Sequence, residues 1–152
     1  MKDDISSKKL RIVTKEGKKY IFDFIRKKYL LLTPEEWVRQ KILLYLIEEK
    51  KYPQNLIRVE QKLKGKKQFF RTDAVVYDRN GVAKIIIECK AENVKITQDV
   101  FEQITKYNIQ FMAPYLLVTN GLKNYFCKIN HNESSYEFLK DIPSFSEIIA
   151  GI

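Results

Sequence analysis

Asp73, Glu88 and Lys90 are the residues of this chain whose types and spacing could do chemistry. Between them, Asn80-Gly81 separates two apolar, β-branched runs, the strongest short-range hairpin signal a sequence offers. With a two-residue turn, Arg79 faces Val82, and counting back sets Asp73 directly across from Glu88. Lys90 then shares the face of Glu88, because side chains along a strand alternate with period two. Two carboxylates held about 5 Å apart across a ladder repel by about 3 kcal/mol at an effective dielectric of ~20. A divalent cation between them converts that repulsion into a site for a hard metal such as magnesium. A neighbouring ammonium group can then steady an attacking water or a developing negative charge. Together these groups suit phosphodiester hydrolysis. The parity depends on the turn, however. A three-residue loop with a bulge sends Asp73 to the other face, and a four-residue loop leaves the acids on one face but diagonal.

The competing explanation is an ion pair of these acids with Lys90 or Arg71. Asp has low strand propensity, and both acids sit within apolar or β-branched runs, where a partly buried carboxylate is costly unless paired. Lys90 on its own could mark a strand end facing water. Gln103 and Tyr107 are four apart and share one helix face, which could look toward the carboxylates or simply be polar surface. Lys62, Lys64, Lys66 and Lys67, bordered by Phe69 and Phe70, form a basic loop. Such a loop could track a phosphate backbone or be a solvated hairpin tip. No GxxxxGK[ST] phosphate loop is present, so no ATPase is visible.

The elements that must position these residues read as follows. Segments 10–14 and 20–24 flank Lys15-Glu16-Gly17-Lys18 as an N-terminal hairpin, followed by a basic, aromatic connector over 26–32. Thr33-Pro34-Glu35-Glu36 opens a helix to about Glu49, with Glu36 as the capping-box partner of Thr33. Strands follow at 56–60, 69–78 and 82–90. Ile85-Ile86-Ile87 is apolar on both faces, so its strand is central and covered on both sides. Thr97 opens a second helix to about Phe111. A strand at 115–119 turns through Asn120-Gly121 into 122–129, and the tail ends in a helical turn capped by Ser144 with Glu147. The order is α/β in type, a mixed sheet with helices.

The chain has 152 residues, 45% of them hydrophobic, which suits one domain with a single core. It divides into an N-terminal hairpin and connector (1–32), a core (33–129) and a C-terminal extension (130–152). No apolar run approaches the ~20 residues that span a bilayer, and the N-terminus has no signal-peptide pattern. Cys89 and Cys127 form no CxxC pair and fit buried thiols in a reducing cytoplasm. One histidine, His131, supports neither zinc nor imidazole catalysis. The formal charge of +9 favours a polyanionic partner, although the excess of lysine also fits an AT-rich genome.

Asp73, then Glu88-Cys89-Lys90, then Gln103-Ile104-Thr105-Lys106-Tyr107 resembles the PD-(D/E)xK nuclease superfamily, with the QxxxY element of its RecB-like members. The phrases Thr33-Pro34-Glu35-Glu36-Trp37-Val38-Arg39, Ile86-Ile87-Glu88-Cys89-Lys90-Ala91 and Val118-Thr119-Asn120-Gly121 resemble the N-terminal nuclease domain of type I restriction enzyme R subunits. The similarity runs from about Phe22 to Cys127. It implies a restriction-endonuclease-like αβββαβ core and a magnesium-dependent endonuclease site, with Mn2+ able to substitute. Asp73, Glu88 and the Cys89 carbonyl would be metal ligands, and Glu36 maps onto the first-helix acid of such folds. Lys90 would assist the nucleophilic water, and Gln103 and Tyr107 would organise the site and the DNA phosphate. Thr72 stands where the name-giving proline would be, without consequence for the mechanism, since that proline has no chemical role. A complete R subunit continues into a helicase motor. The resemblance therefore leads one to expect a stand-alone relative or dependence on other restriction-system subunits or a helicase.

Two further functions compete with metal-dependent DNA cleavage. One is a nuclease-fold module that binds nucleic acid without cutting, and the other is an interaction or scaffold protein. The intact Asp73, Glu88 and Lys90 set argues against the first, and the missing helicase motor motivates the second. Cutting both strands needs two sites, which a homodimer would supply.

Overall fold

Asp23 decides how the chain begins. The computed structural model describes residues 10–64 and 69–151, and at 63, 64, 69 and 70 the backbone alone. Lys66 and Lys67 therefore lie outside the described residues, as does the side chain of Lys64. Strands β1 (Ile12–Lys15) and β2 (Lys18–Asp23) form the expected hairpin around Glu16-Gly17, both at positive φ. The Asp23 carboxylate then accepts bonds from the backbone N–H groups of Ile25 and Arg26, at 2.8 and 3.0 Å, and turns the chain back. The stretch read as a connector consequently contains a third strand, β3 (Lys28–Leu31), antiparallel to β2.

Helix α1 (Pro34–Glu48) opens as expected. Thr33 Oγ1 accepts from the Glu36 N–H at 3.0 Å, and Pro34 needs no donor in the first turn. After a 3-10 turn at Gln54–Leu56 come β4 (Ile57–Val59), β5 (Lys62–Lys64), β6 (Phe69–Arg71), β7 (Ala74–Tyr77) and β8 (Ala83–Cys89). The single strand expected at 69–78 is broken at Thr72-Asp73. Both the Thr72 N–H and its hydroxyl donate to the Gln61 carbonyl, at 2.8 and 3.2 Å. β6 thus pairs with β5 in a separate ladder, while β7 enters the main sheet. Helix α2 (Gln98–Asn108), β9 (Tyr115–Thr119), β10 (Asn124–Asn130), β11 (Ser135–Leu139) and α3 (Phe145–Ala150) complete the chain. The Ser144–Glu147 capping box is present.

The main sheet has six strands in the order β11-β10-β9-β8-β7-β4, with β8 and β9 parallel and joined by α2 as a crossover. The sequence α1, β4, β7, β8, α2, β9 is the αβββαβ core. Alternation along β8 divides the interior in two. Ile85, Ile87 and Cys89 pack with Val38, Ile42 and Leu46 of α1, whereas Ile86 packs with Phe101 and Ile104 of α2. Burial on both faces explains why the triple isoleucine shows no polar alternation.

The β7–β8 turn differs from the two-residue expectation. The Gly81 N–H donates to the Asp78 carbonyl at 3.1 Å, the Asp78 N–H to the Val82 carbonyl at 2.9 Å, and Gly81 has φ +79°. Asp78 therefore faces Val82 across a three-residue loop. Asp78 Oδ1 selects that loop by accepting from the N–H groups of Asn80 (2.8 Å) and Val82 (2.9 Å). The shift is reversed two residues later. Tyr77 pairs with Ala83 but Val76 with Ile85, so Lys84 is a bulge residue. The two slips cancel, and the register beyond them, Ala74 opposite Ile87, is the one a two-residue turn would have given.

Candidate functional site

That register carries Asp73 and Glu88 to the α2 side of the sheet, two residues beyond the buried pair Val75 and Ile86. The two carboxyls are close enough for the Asp73 charge to act directly on Glu88. Asp73 Oδ2 accepts from the Cys89 N–H at 2.7 Å, which fixes the acid against the end of β8. Burial, followed by the Asp73 charge, pushes the Glu88 carboxyl up to about 8, against the downward pull of Lys90. Glu88 therefore favours its protonated form at neutral pH.

Glu88 opens into a pocket of about 260 Å³ lined also by Arg71, Lys90, Gln103, Ile104, Tyr107 and Asn108. Gln103 and Tyr107 reach it from successive turns of α2. Burial and then the Glu88 charge raise the Tyr107 phenol, and a bond with the Arg71 backbone opposes that shift. The main chain around these groups is pinned. The Lys90 N–H donates to the Thr119 carbonyl at 2.8 Å, and Asn120 Nδ2 to the Val94 carbonyl at 3.0 Å. The second bond holds the segment between β8 and α2. Lys62 is exposed and its Cα pairs with that of Arg71, so the β5–β6 ladder brings one basic residue of the 62–67 stretch opposite a pocket residue. The Cys89 thiol points to the other face, pushed well up by burial and then by the Asp73 charge, and is no nucleophile. A larger hollow of about 690 Å³ along the β10–β11 turn includes His131. Both nitrogens of that ring lie against the carbonyls of Ile109 (3.2 Å) and Ala113 (2.7 Å), which occupies its one imidazole.

The structure does not bring Glu36 to the two acids. Glu36 lies on α1, which packs on the opposite face of the sheet, and its carboxylate accepts from Arg39 Nη2 (2.7 Å), Arg39 Nε (3.1 Å) and Gln40 Nε2 (3.0 Å). Among the described residues no three or more His, Cys, Asp or Glu side chains gather into a metal-binding group. From α1, Arg39 Nη1 donates to the Asp73 carbonyl at 3.3 Å, and the Glu35 charge adds to the upward push on Glu88. Burial works to lower the Arg39 pKa, yet the Glu36 hydrogen bonds and charge, with Asp73 and Glu60, hold it above its ordinary value. The sequence reading missed Arg39 and Asn108 and gave Arg71 only an ion-pair role. Arg71, two residues before Asp73, was the most findable, and Arg39 carried a weaker signal three residues after Glu36.

The Glu88 shift has a sign that can be measured. A carboxyl that binds its proton more tightly folded than unfolded loses stability for the fold as pH rises from about 4.5 to about 8. In metal-free protein, Glu88→Gln is therefore expected to be more stable than wild type at pH 9, by up to about 5 kcal/mol at ~1.4 kcal/mol per pKa unit. Below pH 4 the two proteins should match. Urea melts at the two pH values check this, and equal stabilities at pH 9 would contradict it.

A six-stranded αβββαβ sheet with Glu88, a lysine and a Gln/Tyr helix face around one pocket, and Asp73 beside Glu88, has the restriction-endonuclease-like fold. Residues 34–143 match the family described as type I restriction enzyme R protein N terminus (HSDR_N), and the chain belongs to that family. The fold is similar to a fragment assigned as an HsdR subunit of a type I restriction enzyme from Vibrio vulnificus YJ016. That similarity has a TM-score of 0.53 and 17% identity, over 78% of this chain and 25% of the other. The chain thus spans about a quarter of that relative's length. A DUF820 protein assigned as a nuclease, from Anabaena variabilis ATCC 29413, aligns with a TM-score of 0.48 and 11% identity over 90% of this chain and 82% of that one. No curated protein matches the chain. Among the described residues no helix is long and apolar enough to cross a membrane.

Proposed function

We propose that this domain is a magnesium-dependent endodeoxyribonuclease that hydrolyses phosphodiester bonds. The observation that carries this reading is the single pocket uniting Glu88 with Lys90, Gln103, Tyr107 and Arg71, with Asp73 beside Glu88. Two facing carboxyls, one pushed far above its ordinary range, form a donor set that a cation would relieve. Their hard oxygens and small number fit Mg2+, which takes one or two carboxylates and completes its shell with water and phosphate, and Mn2+ fits the same donors. Asp73, Glu88 and the Cys89 carbonyl would hold it. The ion when bound supplies positive charge at the phosphate and makes water a better nucleophile.

The chain's own groups do the rest. Lys90 orients the attacking water and stabilises charge that develops on the phosphate. Gln103 and Tyr107 fix the Lys90 side of the pocket and receive the phosphate, and Arg71 with Lys62 draws the DNA backbone toward it. Arg39 holds the main chain of Asp73 from the other face. Glu36, engaged by Arg39 and Gln40, acts through Arg39 in this reading and is no ligand. In this reading the domain acts on DNA in the cytoplasm with other restriction-system subunits or a helicase, and two copies would cut two strands.

Supercoiled plasmid incubated with the protein and Mg2+ should be nicked, and EDTA should stop it. No cleavage of plasmid, linear or single-stranded DNA or RNA with either Mg2+ or Mn2+ would overturn the reading and leave a binding module.

A further inference from the structure

The sheet β1–β3 carries a face that the αβββαβ core does not use. Cross-strand partners point to one side, so the register Val13–Tyr20–Leu31 continues through Phe22–Tyr29 and sets Arg11, Lys15 and Lys18 on the same side. The opposite side carries Ile21, which is fully buried. On the outward side Val13, Tyr29 and Leu31 are 42%, 45% and 52% exposed. The Arg11 guanidinium lies over the Phe22 ring at 5.2 Å, and Phe22 meets Tyr29 edge-on at 5.2 Å. Residues 10–32 hold seven Lys and Arg against Glu16 and Asp23, a net of +5 out of the chain's +9. Asp23 is itself fully buried and bonded to Arg26.

One exposed ring, Tyr29, beside the half-buried Tyr20 and Phe22 and bordered by cations on an antiparallel sheet, matches unpaired bases and their phosphates, since bases stack on aromatic faces while cations track the backbone. A duplex hides its base faces, and an uncharged protein surface would leave the cations without partners. We propose that this face is a docking platform for single-stranded DNA. The choice of DNA over RNA rests on the nuclease reading above; the platform itself does not.

The test is fluorescence anisotropy of a labelled oligothymidylate with full-length Glu88→Gln protein in EDTA, so that binding is read without cleavage. Tyr29→Ala should weaken binding about 10-fold, and Tyr29→Phe should stay within about threefold. Lys15→Glu/Lys18→Glu should weaken it at least as much and flatten its salt dependence. Lys128→Glu/Lys140→Glu, an equal charge change on exposed residues elsewhere, should stay within about twofold. The proposal is overturned if a folded Tyr29→Ala protein binds as tightly as its parent, or if both charge-changed pairs lose affinity equally. It is also overturned if the parent binds no oligothymidylate at low salt, or binds anionic vesicles or oligouridylate more tightly. Loss of plasmid nicking with binding retained would remove the nuclease reading alone, and the converse would remove the platform alone.

Discussion

Lys90→Ala is expected to slow magnesium-dependent nicking by about 10²–10³-fold, the usual effect of deleting one preorganised charge at a reacting phosphate. Its N–H is held by the Thr119 carbonyl whatever the side chain, so the fold should tolerate the change. The loss should fall on kcat rather than on DNA affinity, because a group needed in the transition state contributes little to ground-state binding. A second signature separates chemistry from simple charge loss. The Lys90 ammonium pulls the Glu88 carboxyl down, so its removal lets Glu88 keep its proton to higher pH. Residual activity should therefore rise at a higher pH than in wild type, and Lys90→Arg should move that limb back toward its original position. Single-turnover nicking across pH 6–9.5 reads both effects. A Lys90→Ala protein cutting as fast as wild type would remove Lys90 from the site.

Why spacing could find Lys90 but not its supports follows from what each residue depends on. Glu88 and Lys90 sit on one continuous strand, where period two holds regardless of context. Gln103 and Tyr107 likewise need only helix periodicity, and the burial of Phe101 and Ile104 fixes which way α2 faces. Asp73 was reached by counting through a turn that does not exist. The Asp78 side chain makes a three-residue loop, and the bulge at Lys84 restores the register, so two missed features cancelled. Sequence marks such loops weakly, because Asn-Gly serves two-residue turns and bulged turns alike. The Glu36 assignment mixed two roles. Thr33 does cap through the Glu36 N–H, as the pattern indicates. Where the carboxylate goes depends on Arg39 and Arg26, and nothing in the local pattern shows that Arg26, ten residues earlier, folds back to within 3.7 Å of it. Contacts between elements, rather than within them, are what spacing leaves out. The third strand of the N-terminal sheet was missed for the same reason, since it depends on a single carboxylate turning the chain.

Arg39→Met should be the most destabilising of these substitutions, by ~3–5 kcal/mol, because it takes from the buried Glu36 carboxylate its closest cation, leaving only Arg26 at 3.7 Å. Glu36 is only 5% exposed, and Arg39 gives it two bonds, touches Glu60 at 3.4 Å and reaches the Asp73 carbonyl. Arg26 extends the cluster from Asp23 (2.7 Å) to the other Glu60 oxygen (2.9 Å), so that three acids share two guanidinium groups. Losing Arg39 therefore leaves Arg26 as the one guanidinium for all three acids, and the melting temperature should fall by about 10 °C. Replacing both members of the buried pair tests whether the network is there for stability at all. Glu36→Leu/Arg39→Met removes charge and countercharge together and should recover most of the stability lost by Arg39→Met alone, since a well-packed apolar pair often equals a buried ion pair. Recovered stability should not bring back full nicking. The Asp73 carbonyl accepts from the Glu60 N–H at 3.0 Å, and Arg39 Nη1 adds a second bond at 3.3 Å where β7 enters the sheet, so losing Arg39 loosens Asp73 without unpairing its carbonyl. A doubly substituted protein as stable and as active as wild type would show that Arg39 only balances Glu36. One that is stable but cuts slowly would place the value of the network in the position of Asp73.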